Sequence, residues 1–140
     1  MASLVPRGSS ANTRIDLIAA TWGGLVASIG LLAGAGRDWP ARLAAGAVSF
    51  GLGGFLAGVR AAGRRPRHAA AAWFIAYVIH AAFIVVAGAI DALGGPDAPA
   101  LAAGGATAWG VAAAWTLAWA LLGGGAANAW LRPAGRGRVS

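Results

Sequence analysis

The sequence contains no cysteine, no lysine, no glutamate and no glutamine. Without cysteine there is no disulfide, no thiolate metal ligand and no thiol nucleophile. Without glutamate the only carboxylate side chains are Asp16, Asp38, Asp91 and Asp97, and these form no carboxylate pair for acid–base work. Charged residues make up 11% of the chain, against roughly 25% in soluble domains. Hydrophobic residues fill the deficit at 59%, in long uncharged runs that predict transmembrane helices. Residues 1–10 contain Leu-Val-Pro-Arg-Gly-Ser, the look of a thrombin-site tag remnant, and are set aside; residues 11–140 read as a single transmembrane domain.

What is present is arranged as apolar runs closed by arginines. The net charge is +7. In a soluble chain that excess would suggest nucleic acid. Here the arginines flank apolar runs, so they read as an orientation signal and no nucleic-acid partner is expected. Residues 50–67 show the pattern most clearly. A glycine-studded apolar stretch from Phe50 to Val59 runs into Arg60, Arg64, Arg65 and Arg67. The first half is too hydrophobic for water and the second too costly for a bilayer centre, so their junction marks a membrane boundary. The arginine group also suits anionic lipid headgroups.

Four spans are predicted, over residues 15–35, 40–62, 69–90 and 101–131. The first rises about 31 Å, enough for a hydrocarbon core of about 30 Å. Asn12 or Thr13 is expected to cap it, with Asp16 in its first turn. Gly23, Ala27, Gly30 and Gly34 make a smooth stripe along it for another helix to approach. Asp38 and Pro40 open the second span and Gly63 is expected to close it. On that span Ala47, Gly51, Gly54, Gly58 and Ala62 share one face, opposite Val48, Leu52, Phe55, Leu56 and Val59. The fourth run would be about 46 Å long if helical throughout, so it must tilt, protrude or break, and Gly123-Gly124-Gly125 marks the expected break. Trp39, Trp73 and Trp130 fall near the rims, as an aromatic belt requires.

Four spans put the N-terminus, the middle loop and the C-terminal tail on one side. That side holds Arg14, Arg60, Arg64, Arg65, Arg67, Arg132, Arg136 and Arg138. The other holds Arg37 and Arg42, with Asp38, Asp91 and Asp97. The asymmetry predicts cytoplasmic termini. Arginine as the sole basic residue type apart from histidine, with alanine and glycine in excess, suggests a GC-rich bacterial genome, hence a bacterial cytoplasmic membrane.

The candidate chemistry centres on His80, near the midpoint of the third span. An ionisable residue at that depth is a functional hypothesis by default. At helical spacing it shares a face with Tyr77 and Asp91, a polar track from rim to middle along which a proton or cation could pass. The structural alternative is a neutral imidazole donating one hydrogen bond to Thr107, Thr116, Ser49 or a backbone carbonyl. Haem or metal ligation would need a facing ligand, and His68 lies about 18 Å away along the axis. Ser28 or Ser49 could pair with His80 as a dyad, yet Gly46-Ala-Val-Ser-Phe-Gly51 departs from the G-x-S-x-G elbow. Trp115 and Trp119 share a face of the fourth span and either line a cavity or face lipid or another subunit. No catalytic residue, metal ligand or cofactor is assigned.

The second span carries Gly53-Gly54-Phe-Leu-Ala57-Gly58-Val-Arg-Ala61-Ala62-Gly63, followed by His68, and the first carries Thr21-Trp22-Gly23-Gly24. These resemble small bacterial four-span proteins of unknown function, whose second helix ends Gly-Gly-x-x-Ala-Gly-x-x-Ala-Gly before basic residues. This chain has one extra residue before the last glycine. The resemblance implies the four-span architecture and no activity.

The expected fold is therefore all-α, an integral membrane four-helix transmembrane bundle locked by Gly30, Gly34, Gly51, Gly54 and Gly58. So small a chain has little interior, so a homo-oligomer is expected. The functional expectation is a transporter or channel for a small solute or ion, with the lipid bilayer as surroundings. The alternatives are an accessory subunit docked on a membrane protein partner through Gly51, Gly54 and Gly58, or a membrane enzyme or haem or metal carrier using His80.

Overall fold

A computed structural model of the chain describes residues 15–61, 65–92 and 106–131, which form four helices and no strand. They are α1 (Leu17–Ala33), α2 (Trp39–Arg60), α3 (Arg65–Ala92) and α4 (Ala106–Trp130). Three stretches are long and apolar enough to cross a membrane: Trp39–Arg60, Arg65–Ile90 and Thr107–Trp130. Helix α1 is apolar and shorter, at 17 residues.

The ends of the helices follow local chemistry and correct several expectations. Asp16 is itself the N-cap of α1, its carboxylate accepting from the Ala19 N–H at 3.1 Å, so the helix begins at Leu17 rather than Ile15. At its other end the Gly34 N–H donates to the Gly30 carbonyl at 3.0 Å and the chain turns through Gly36, whose φ of 72° is the left-handed region glycine tolerates. Asp38 caps α2 with Pro40 in its first turn, as the sequence indicates. Helix α2 stops at Arg60, where Ala61 turns extended; Gly63 lies outside the described residues. Helix α3 starts at Arg65, four residues early, because Pro66 in a first turn loses no hydrogen bond. Helix α4 passes unbroken through Gly123-Gly124-Gly125. Two of these glycines are contact points: a Cβ on Gly123 would strike the Gly51 carbonyl oxygen, and one on Gly124 would lie 2.7 Å from the Ala69 Cβ. Residues 101–105 of the predicted fourth span lie outside the described residues.

Helix α2 touches all three others, and α1 and α4 each also touch α3. The contacts fix the directions. Gly23 meets Gly53 and Ala57, Gly30 meets Ser49 and Ala45, and Gly34 meets Arg42, so α1 and α2 run antiparallel. Gly46 meets Thr116, Gly54 meets Ala120 and Gly58 meets Ala127, so α2 and α4 run parallel. Helix α2 therefore carries two small-residue seams. Ala45, Ser49, Gly53 and Ala57 meet α1; Gly51, Gly54 and Gly58 meet α4 of the same chain. Adjacent helical positions lie about 100° apart, so the doublets Gly53-Gly54 and Ala57-Gly58 serve both neighbours.

Between the seams sits a core of Ala27, Phe50, Ala76 and Ala120, with Leu31, Trp73 and Tyr77 against it. Phe50 is the one large side chain among the described residues that is fully enclosed. Its opposite face, with Val48 and Leu52, is exposed. Helix α3 buries His68, Ala69, Ala72, Ala76 and His80, then leaves its neighbours: Phe83, Val85, Val86 and Ile90 are all exposed.

Gly54 has a steric reason to lack a side chain, since a Cβ there would overlap the Ala120 carbonyl oxygen. Overpacking of this kind costs about 1–3 kcal/mol. Gly54→Ala is expected to lower the thermal midpoint in detergent by several degrees, whereas Gly125→Ala, which meets nothing within 4 Å, should leave it unchanged or raise it. Equal midpoints for the two variants would contradict the α2–α4 seam.

Candidate functional site

The ends of α1 and α2 that meet at the Gly36 turn carry larger side chains than their seams, and a cavity opens there. Its volume is about 50 Å³, room for a few water molecules. Leu31 of α1, Arg42 and Leu43 of α2, and Trp109 and Trp115 of α4 form its walls, and His80 and Thr116 lie deepest along their helices. A second, apolar groove of about 220 Å³ runs between α1 and α3, lined by Ser28, Leu32, Ile79, His80, Phe83 and Val86 among others. His80 borders both.

His80 is 4% exposed. Its ring leans against Trp109, centroids 5.6 Å apart. Its Nδ1 is buried with no hydrogen-bond partner. Two of the partners offered by the sequence, Ser49 and Thr116, are engaged elsewhere. The Ser49 hydroxyl donates to the Ala45 carbonyl at 2.6 Å. Thr116, buried at 3% exposure, is the hub of a different cluster: its Oγ1 donates to the Ala112 carbonyl at 2.8 Å, accepts from Trp73 Nε1 at 3.1 Å and lies 3.0 Å from the Tyr77 hydroxyl. Tyr77 thus turns to α4 instead of joining His80 in a chain. Trp73, expected at the rim, turns inward to the same threonine. Asp91 is in the last turn of α3, and its side chain lies outside the described residues.

Trp115 and Trp119 pack edge to face, 5.8 Å between centroids. The two part company at the site: Trp115 lines the cavity and donates its indole N–H to the Leu43 carbonyl at 3.0 Å, while Trp119 packs on Gly51.

The arginines at the other end are not one uniform patch. Arg60 lays its guanidinium 5.3 Å from the ring centre of Trp22 on α1, a cation–π contact. Arg65 donates from Nη1 to Asn128 Oδ1 of α4 at 2.9 Å, and its Nε is buried without a partner. Arg67 is exposed, and Arg64 lies outside the described residues. His68, which the sequence places in a loop, is helical and buried at 4% exposure. Its Nε2 accepts the backbone N–H of Asp16 at 2.9 Å, tying the start of α1 to the start of α3. No spacing rule connects residues 52 positions apart, so only the parallel packing of α1 and α3 reveals it. Among the described residues no group of three or more His, Cys, Asp or Glu side chains could hold a metal ion.

Comparison of the chain with protein-family descriptions, with curated proteins and with solved structures gives no match. The site is therefore read from its chemistry.

The hub is testable apart from any function. Thr116→Val keeps the shape but strands the Trp73 N–H and the Tyr77 hydroxyl, and an unsatisfied buried polar group costs about 1–3 kcal/mol. Thermal unfolding in detergent is expected to fall for Thr116→Val and to recover in Thr116→Ser. Indifference to both would remove the hub from the account.

Proposed function

We propose that this chain is an integral four-helix membrane bundle with both termini cytoplasmic, in a bacterial cytoplasmic membrane, and that it moves a small solute or ion past His80. The supporting observation is the buried, unpartnered Nδ1 of His80 beside a cavity. Leaving a buried polar atom unmatched costs free energy. That cost is tolerable where water or a passing solute visits the ring. The cavity approaches from the hairpin end. The Trp73–Tyr77–Thr116 cluster closes the way towards the arginine-bearing end, so passage requires that cluster to part.

The accessory-subunit reading draws on a different observation. Gly51, Gly54 and Gly58 meet α4 and are not free for a partner. The exposed apolar end of α3, from Phe83 to Ile90, is the face such a reading would use, against a second copy or another membrane protein.

An efflux experiment tests the transport reading. In proteoliposomes loaded with potassium chloride, ion-selective electrodes should record efflux above that of empty vesicles. His80→Ala should change it by about tenfold or more, equivalent to about 1.4 kcal/mol of barrier. Efflux no greater than the empty-vesicle rate, or untouched by His80→Ala, would sink the transport proposal.

The topology is read by labelling, which the absence of cysteine makes clean. In intact cells an impermeant maleimide should label Arg37→Cys, in the α1–α2 turn, and should reach Arg67→Cys only after lysis. The reverse pattern would invert the bundle.

A further inference from the structure

We infer that the groove between α1 and α3 is a binding site, entered from the lipid, for a compact neutral molecule of the phenol class: mostly apolar, with one hydrogen-bonding group. The site does not depend on the transport reading, because it concerns the groove and holds whether or not anything crosses the membrane.

The groove follows from how the two helices part. Midway along the pair their backbones lie close: a Cβ on Gly24 would lie 2.6 Å from Ile75 Cγ2 and 3.1 Å from the Ala72 carbonyl oxygen. Further along, the lining passes to Ser28 and Leu32 on α1 and to Ile79, Ala82, Phe83 and Val86 on α3, and a groove of about 220 Å³ opens. Helix α1 ends at Ala33, while α3 runs on to Ala92. Leu32, Phe83 and Val86 are exposed, so the groove faces outward. Along a helix long and apolar enough to cross a membrane, outward means towards hydrocarbon.

Two of the described lining residues carry a polar side chain, Ser28 and His80. The Ser28 hydroxyl donates to the Leu25 carbonyl at 2.8 Å. His80 is buried and its Nδ1 has no hydrogen-bond partner. The site therefore combines an apolar trough with one unmatched nitrogen.

That combination selects among occupants. A lipid acyl chain would fill the trough and leave the nitrogen unmatched, at a cost in free energy. A molecule with a hydroxyl makes the same apolar contacts and matches the nitrogen as well. A hydroxyl both donates and accepts, so it serves either tautomer of a neutral imidazole. Entry through hydrocarbon demands a neutral molecule, since a charge would have to shed its water. Size sets the rest. An apolar cavity of about 150 Å³ takes up benzene, so a groove of about 220 Å³ has room for one substituted ring.

The test is binding, measured apart from flux. The chain has two histidines, so isotope-labelled imidazole resonances of the purified protein in detergent report on His68 and His80 alone. p-Cresol is titrated in, with toluene, the same shape without the hydroxyl, as competitor. p-Cresol is expected to move the His80 resonances saturably and to leave those of His68 in place. Toluene should displace it only at concentrations about threefold higher or more, as one hydrogen bond requires.

Ala82→Trp, at an exposed position lining the groove, should fill it and abolish the response with the fold intact. His80→Phe keeps a ring and removes the nitrogens. Its unfolding midpoint should rise equally with either ligand, whereas the unsubstituted protein should favour p-cresol. Should His80→Phe fail to fold, Ala82→Trp decides the matter.

No saturable movement of the His80 resonances, equal affinity for toluene, equal movement of His68, or a response that survives Ala82→Trp would each overturn the site. p-Cresol binding without vesicle efflux would support the site and remove transport. Efflux that depends on His80, without any p-cresol response, would keep transport and overturn the site.

Discussion

Between α1 and α2, and again between α2 and α4, two backbones lie too close for a methyl group. A Cβ on Gly23 would strike the Gly53 carbonyl oxygen, and one on Gly123 the Gly51 carbonyl oxygen. Apolar surface gains nothing by leaving lipid for protein, so close packing is what remains to hold membrane helices together. The rest of the structure depends on these seams. They bring three helices around Phe50, and they fix which ends spread apart. The cavity begins at Gly30 and Gly46, where the tight seams give way to Leu31, Arg42 and Leu43.

The interior then divides its few polar groups into two kinds. Thr116, Tyr77 and Trp73 satisfy one another across α3 and α4, which stiffens the contact and specifies its register. His80, one turn beyond Tyr77, has the opposite condition, with a nitrogen enclosed and unmatched. One face of α3 thus carries a half-buried hydroxyl that is matched and a buried imidazole nitrogen that is not.

Much of this was legible in the residues. The apolar runs and the Gly23–Gly34 stripe led to helices and to a close approach of another helix to α1, because composition and helical period act locally. The doublets Gly53-Gly54 and Ala57-Gly58 announced two packing directions, although a single face was read from them. The parallel neighbour α4 was not legible, since which helix fills a groove depends on all the others. The cap of α1 was read three or four residues early, at Asn12 or Thr13: Asp16 has the short carboxylate of an N-cap and precedes the first helical residue. The triple glycine looked like a weak point because propensity in water penalises glycine. Between close helices the same absence of a side chain is what permits contact. At the site His80 was found from its depth alone. Its neighbours Arg42 and Trp109 were not, because they come from other helices with no sequence spacing to His80.

The helices differ in reach. Helix α1, with 17 residues, rises about 25 Å, and α3, with 28, about 42 Å. Since α1 packs on α3, a bilayer around this chain would meet a short helix and a long one side by side. Lipid must thin beside α1 or stretch beside α3, at fractions of a kcal/mol per ångström of mismatch. Membranes of different depth would then favour different leanings of the long helix.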